Sequence, residues 1–128
     1  MSAIPQGSDP LTYRVIGCAM EVHRTLGPGL LESVYEQCLA HELSLAGIPF
    51  LRQVPLPVEY KGMKLDCGYR LDFLVDGRLV VELKSVEQLS DLHTAQLLTY
   101  MRLAHVPVGL LINFNVPVLK DGIRRFVL

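Results

Sequence analysis

The sequence predicts an α/β fold, on three observations. Two stretches with helical spacing of apolar residues open the chain. Asp76-Gly77 lies between two segments of β character and marks a hairpin. The run 106–114 is apolar almost throughout, as in a strand buried on both faces. The chain has 128 residues, of which 50% are hydrophobic and 20% charged. That suits one folded domain with a real core, not a disordered chain.

Residues 1–10, with Pro5, Gly7 and Asp9, read as a loose lead-in to a single domain over 11–128. The first helix is expected over 11–26, where Tyr13, Val15, Ile16, Ala19, Met20, Val22 and Leu26 recur at helical intervals. Gly27-Pro28-Gly29 stops it, because proline cannot continue the hydrogen-bond ladder and glycine accepts the left-handed cap. A second helix is expected over 30–46, with Leu31, Val34, Tyr35, Cys38, Leu39, Leu43 and Ala46 as its apolar stripe and Gly47 as its end. Residues 54–60 then alternate as a strand, and Pro55 and Pro57 put it at a sheet edge. Lys61-Gly62 is a turn. Strands 69–75 and 78–84 form the hairpin, 89–104 a third helix, 106–114 the buried strand and 123–128 a last short strand. The expected order is α-α-β-β-β-α-β-β, with no internal repeat and no linker.

Composition excludes several functions. The formal net charge of −1 rules out tail-driven nucleic-acid binding, in which a large positive excess supplies the affinity. No stretch approaches the roughly eighteen apolar residues of a membrane span. The first residues lack the basic and apolar regions of a secretory signal. Cys18, Cys38 and Cys67 are odd in number and far apart, against a disulfide framework or zinc cluster and in keeping with a reducing cytoplasm.

The hairpin carries the chemistry. Alternation gathers Leu71, Phe73, Val75, Leu79, Val81 and Leu83 on one face only if the turn has the right length. A two-residue loop would set apolar side chains beside charged ones. A three-residue loop, Val75-Asp76-Gly77 with Gly77 left-handed, pairs Asp72 with Val80 and makes Asp72 and Glu82 diagonal neighbours on the other face, with Lys84 two residues on. Two carboxylates can hold a hard cation such as Mg²⁺, which activates water and neutralises a phosphodiester. A neighbouring lysine can orient the attacking water and stabilise the transition state. The plain alternative is a cross-strand salt bridge to Lys84.

Other residues fit around this group. Gln96 and Tyr100, at i and i+4 on the third helix, share a face and could hold a phosphate or base; alternatively the glutamine is solvated and the tyrosine packs in the core. His93, one turn earlier, reads first as a capping or surface residue. Glu32 in the first turn of the second helix gains from the helix dipole, or serves as a third acidic ligand or water holder. His23, with Arg24, ends the first helix and reads as structural.

Asp72, Glu82-Leu83-Lys84, Gln96 and Tyr100 together resemble the active-site signature of the PD-(D/E)XK nuclease superfamily, including its Gln-x-x-x-Tyr variant. Gly29-Leu30-Leu31-Glu32-Ser33-Val34-Tyr35 resembles the motif of the GxxExxY protein family within it. So do Glu21-Val22-His23 through Gly29, Tyr69-Arg70-Leu71-Asp72 and Gly109 to Phe114. The likeness spans about residues 11–127. It implies a restriction-endonuclease-like core, a mixed central β-sheet flanked by helices. It implies that Asp72, Glu82 and the Leu83 carbonyl hold Mg²⁺ or Mn²⁺, that Glu32 completes or braces the site, that Lys84 is catalytic, and that Gln96 and Tyr100 position nucleic acid. One departure is Leu71, where the superfamily's name has proline.

The leading reading is a metal-dependent nuclease acting on nucleic acid, DNA first. The twelve basic residues are thinly spread and only Arg124-Arg125 are adjacent, so binding by a monomer is expected to be weak. Edge strands and the apolar excess make a homo-oligomer plausible. The alternatives are a non-catalytic metal-binding or structural protein on the same fold, and a hydrolase of nucleotides or small phosphoesters.

Overall fold

Each helix boundary follows from local chemistry in the computed structural model, which describes residues 9–128. Helix α1 (Pro10–Leu26) starts where the Asp9 carboxylate accepts the Thr12 N–H at 2.7 Å, with proline in its first turn. Asp9 and Pro10 thus belong to the helix rather than to a lead-in; the rest of that segment, 1–8, lies outside the described residues. Gly27, at φ 69°, ends α1 by returning its N–H to the His23 carbonyl. Helix α2 (Glu32–Leu45) begins two residues later than its apolar pattern suggests, because Leu30 and Leu31 belong to the turn.

The strands depart more from expectation. The stretch 54–60 is not one strand. Strand β1 (Phe50–Pro55) and strand β2 (Val58–Tyr60) lie in different sheets. Two prolines flanking Leu56 remove the N–H groups a continuous ladder needs. The Leu56 N–H turns to the Tyr69 carbonyl instead, at 2.8 Å. Strand β2 forms a two-stranded ribbon with β3 (Met63–Leu65), which is too short for its pattern to be read from sequence. Strands β4 (Arg70–Val75) and β5 (Leu79–Lys84), helix α3 (Asp91–Ala104), strand β6 (Val108–Asn113) and strand β7 (Ile123–Val127) follow.

The main sheet has the order β1-β4-β5-β6-β7, mixed because β5 and β6 run parallel across α3 while the other pairs are antiparallel. The proline-bearing strand β1 is at an edge, as its composition requires. Helices α1 and α2 bury Val15, Ile16, Tyr35, Leu39 and Leu43 against Phe73, Val75, Val81, Leu83, Leu110 and Ile112 on one side. On the other, α3 packs Leu97, Tyr100 and Met101 on Leu71, Val80 and Leu111. Strand β6 is buried on both faces, as its composition predicts. The helix approaches it so closely that a Cβ on Gly109 would lie 2.5 Å from the Met101 sulfur.

The hairpin register differs from the expected one by two residues. The loop is Asp76-Gly77-Arg78, with Asp76 (φ 51°) and Gly77 (φ 64°) both left-handed, and Val75 closes against Leu79. A shift of two would set Asp72 opposite Glu82, but the ladder ends at Phe73 and Val81, and the acids meet instead through side-chain bonds to each other's strand. Leu71 does not stay with the other five apolar residues. It packs in the α3 cluster, because the strand's alternation slips at Asp72.

Candidate functional site

The β4–β5 ladder pairs Phe73 with Val81 and goes no further. Beyond that point β4 follows β1, with Leu71 against Val54, while β5 follows β6 as far as Lys84 against Asn113. The strands fork, and the fork leaves backbone donors without partners. Two acidic side chains supply them. The Asp72 N–H donates to Glu82 Oε1 at 2.9 Å, and the Leu83 N–H donates to Asp72 Oδ2 at 2.8 Å. Each acid therefore accepts from the other's strand, which locks the carboxylates into one cleft.

Leu83 contributes backbone as well. In an extended strand the N–H and C=O of one residue point to the same edge. The Leu83 N–H enters the fork, so its carbonyl does too, beside the acids. The Lys84 carbonyl, one residue on, faces β6 and accepts the Phe114 N–H at 2.9 Å.

The cleft resists carrying two negative charges. Glu82 is 5% exposed, and burial, followed by the Asp72 charge, pushes its carboxyl up to about 8. Burial likewise raises Asp72, to about 6, with the charges of Glu36 and Glu32 adding and the Leu83 N–H opposing. Lys84 is half-buried, and its charge favours ionisation of both acids. The salt bridge that was the plain alternative does not form. Four ion pairs occur among the described residues, all made by arginines, and none includes Lys84.

A buried acid and a half-buried one, both raised in this way and with the Leu83 carbonyl on the same strand edge, fit a hard cation that takes one or two protein carboxylates and completes its shell with water. Among the described residues no three His, Cys, Asp or Glu side chains are gathered so as to hold an ion. Glu32 lines the same cavity as Asp72 and Leu83, a space of about 220 Å³ that opens below the start of α2.

Two residues of that cavity escaped the sequence reading. Glu36 sits one turn after Glu32, and that i, i+4 pair of acids is the signal that could have revealed it. It is held by Arg52 at 2.8 Å and by the Gln53 amide. Gln53 also reaches to 3.5 Å from Asp72 Oδ1 and has a left-handed backbone (φ 51°) in the middle of β1. No sequence pattern announces that conformation in a glutamine.

The turn before α2 is shaped by Tyr35. Its hydroxyl donates to the Gly27 carbonyl at 2.6 Å and accepts the Leu30 N–H at 3.1 Å, while its ring stacks on Phe114 at 4.5 Å. Behind the lysine, Ser85 Oγ donates to the Leu30 carbonyl at 2.6 Å. Asn113, almost wholly buried, bonds both the N–H and the C=O of Val86. These contacts tie the end of β5 to the turn that launches α2.

On the α3 side, Gln96 Nε2 donates to the Tyr100 hydroxyl at 2.8 Å. Tyr100 is buried, and desolvation raises its hydroxyl, with smaller contributions from Glu82 and Asp72. The tyrosine ring is core, and the glutamine beside it is half-buried rather than solvated. His93 is the cap its position suggested, exchanging bonds with Ser90 through its backbone N–H and Nδ1. His23 is structural, bonded to the Val116 carbonyl at 2.7 Å.

An α/β/α sandwich with an acidic fork between two central strands defines a restriction-endonuclease-like fold. The family model of the PD-(D/E)XK nuclease superfamily matches residues 9–126, and the chain belongs to that superfamily. No curated protein and no solved structure matches it. No helix among the described residues is long and apolar enough to cross a membrane.

Proposed function

We propose that the protein is a metal-dependent nuclease that hydrolyses phosphodiester bonds of DNA. The observation that supports this best is the reciprocal bonding of Asp72 and Glu82 across the forked strands, two residues before an ammonium group that no ion pair among the described residues engages. In this reading Asp72, Glu82 and the Leu83 carbonyl hold Mg²⁺ or Mn²⁺, and Glu32 braces the site across the cavity. A bound divalent cation supplies acidity to water and offsets phosphate charge. Lys84 orients the attacking water and stabilises charge that develops on the phosphate. Gln96 and Tyr100 hold the nucleic-acid strand.

The Gly29-to-Tyr35 segment supports placement in the GxxExxY group, since its glycine, glutamate and tyrosine respectively turn the chain, face the cavity and lace the turn. Residues 11–128 act as one nuclease-like domain in this proposal. The free cysteines suit a cytoplasmic setting, and a homo-oligomer would enlarge a thin basic footprint.

The test is titration of Mg²⁺ and Mn²⁺ against single-stranded DNA, duplex DNA, RNA and mononucleotides, comparing wild type with Asp72→Ala and Lys84→Ala. The expected result is cleavage that needs the ion and disappears in both variants. Cleavage that survives both changes and chelation would sink the assignment. Ion binding lost in Asp72→Ala, without cleavage of any substrate by the wild type, would favour a non-catalytic metal-binding protein.

A further inference from the structure

A second cavity, of about 510 Å³, lies between α3 and the β2–β3 ribbon, and nothing above assigns it. Its walls are apolar: Val58, Leu92, Ala95 and Leu103. None of its lining residues is Asp, Glu, Lys or Arg. It offers no lysine or arginine to a phosphate or a carboxylate, and His93 is its one imidazole. What it offers is an aromatic ring, Tyr69, 44% exposed and tilted 52° to Tyr100 at 5.9 Å, together with the Thr99 hydroxyl and the Gln96 amide. A flat, uncharged, aromatic group with a hydrogen-bonding edge matches those walls. The cavity adjoins the acidic fork, since Tyr69 leads into β4 three residues before Asp72 and Tyr100 packs in one cluster with Leu71, the neighbour of Asp72. A strand with its phosphodiester at the fork would therefore bring its own bases alongside.

We propose that this pocket receives one unpaired nucleobase of the strand being cut, stacked on Tyr69, so that the substrate is single-stranded or frayed nucleic acid. The proposal rests on the nuclease reading and adds the substrate class. A paired base is covered by its neighbours and must leave the stack before it can enter such a pocket. Stacking on an aromatic side chain tolerates any base, so the pocket selects for strandedness rather than sequence.

Binding can be read without cleavage, in chelator, with short oligothymidylates that carry one 2-aminopurine at successive positions. The expected result is fluorescence quenching at one position and about tenfold tighter binding of single strand than of blunt duplex. Ala95 is exposed on α3, so Ala95→Trp fills the pocket without touching the core; it should abolish both effects. Tyr69→Ala should do the same, and Tyr69→Phe should restore them. Equal binding of single strand and duplex with no quenched position, or normal quenching in Ala95→Trp, overturns the proposal. So does a dimer that Ala95→Trp breaks while oligonucleotide binding stays unchanged, which would make the pocket a contact with a second copy. Metal-dependent cleavage of both substrates alike, without quenching, sinks the pocket and leaves the nuclease. Quenching without cleavage by any metal does the reverse. Failure to bind any oligonucleotide overturns both.

Discussion

The two halves of the β4–β5 pair are built on opposite principles. At the hairpin end, Phe73 to Val75 and Leu79 to Val81 share an ordinary backbone ladder, and Phe73, Val75, Val80 and Val81 are completely buried. At the open end the ladder stops, and acidic side chains replace backbone acceptors. The first half gains from burial of apolar surface and from close packing. The second buries like charges, which costs stability that only a cation or a proton can offset. The difference teaches that two adjacent strands hold an acidic cleft by zipping one end and leaving the other apart.

The sharpest way to break that contrast is chemical. Lys84→Ala should lower metal-dependent cleavage about a hundredfold or more while the melting temperature stays near wild type, because no ion pair is lost. A comparable fall in both would make Lys84 a structural residue. Next in size is the closed end. Phe73→Ala should destabilise the protein by about 3–5 kcal/mol in denaturant titration, since it leaves a cavity in the α1–α2 core. A smaller intervention, Tyr35→Phe, removes two hydrogen bonds from the turn before α2. We expect a loss of about 1–3 kcal/mol by the same measurement, and weaker ion binding as Glu32 loses its fixed position.

The open end should respond to pH in the unusual direction for carboxylates. Asp72 and Glu82 are raised in the folded protein, so between about pH 4 and pH 8 the folded state holds more protons than the unfolded one. Stability without metal should therefore fall as pH rises through that window, and Mg²⁺ or Mn²⁺ should flatten the slope. A melting temperature that rises from pH 5 to pH 8 without metal would contradict the buried-charge account. The smallest effect concerns Glu82→Gln. Its amide oxygen still accepts the Asp72 N–H while the charge is gone, so the metal-free variant should melt about 3 °C higher than wild type at pH 8 and no higher at pH 5.

Much of the fold was legible because its signals are local. Gly27-Pro28-Gly29 ends a helix wherever it occurs, and an apolar run such as 106–114 has few places to go but a sheet interior. Glu82 and Lys84 could be grouped because burying Leu79, Val81 and Leu83 together leaves them one common side of β5, whereas Asp72 joins them through the fork, where the alternation of β4 slips. The register was less secure. Any shift by two keeps every face, and only the twist of the turn, with Asp76 and Gly77 both left-handed, selected the pairing seen. The split at Pro55 and Pro57 is written in the sequence, but the alternation of Val54, Leu56, Val58 and Tyr60 runs straight across it and masks it. Glu36 and Gln53 were missed for a different reason. A charged residue on a helix and an amide on an edge strand are ordinary surface choices until another element lies against them.

What the chain's composition and order determined alone is the set of local preferences: which segments coil, which extend, where they stop, and which polar groups the apolar pattern leaves on a common side. Tertiary structure decided that β4 and β5 part at Asp72, that each acid bonds the other's strand, and that Glu36, Gln53 and the start of α2 close around them. Those contacts join residues far apart in the chain. Their geometry depends on how whole layers pack, a balance that no single segment encodes.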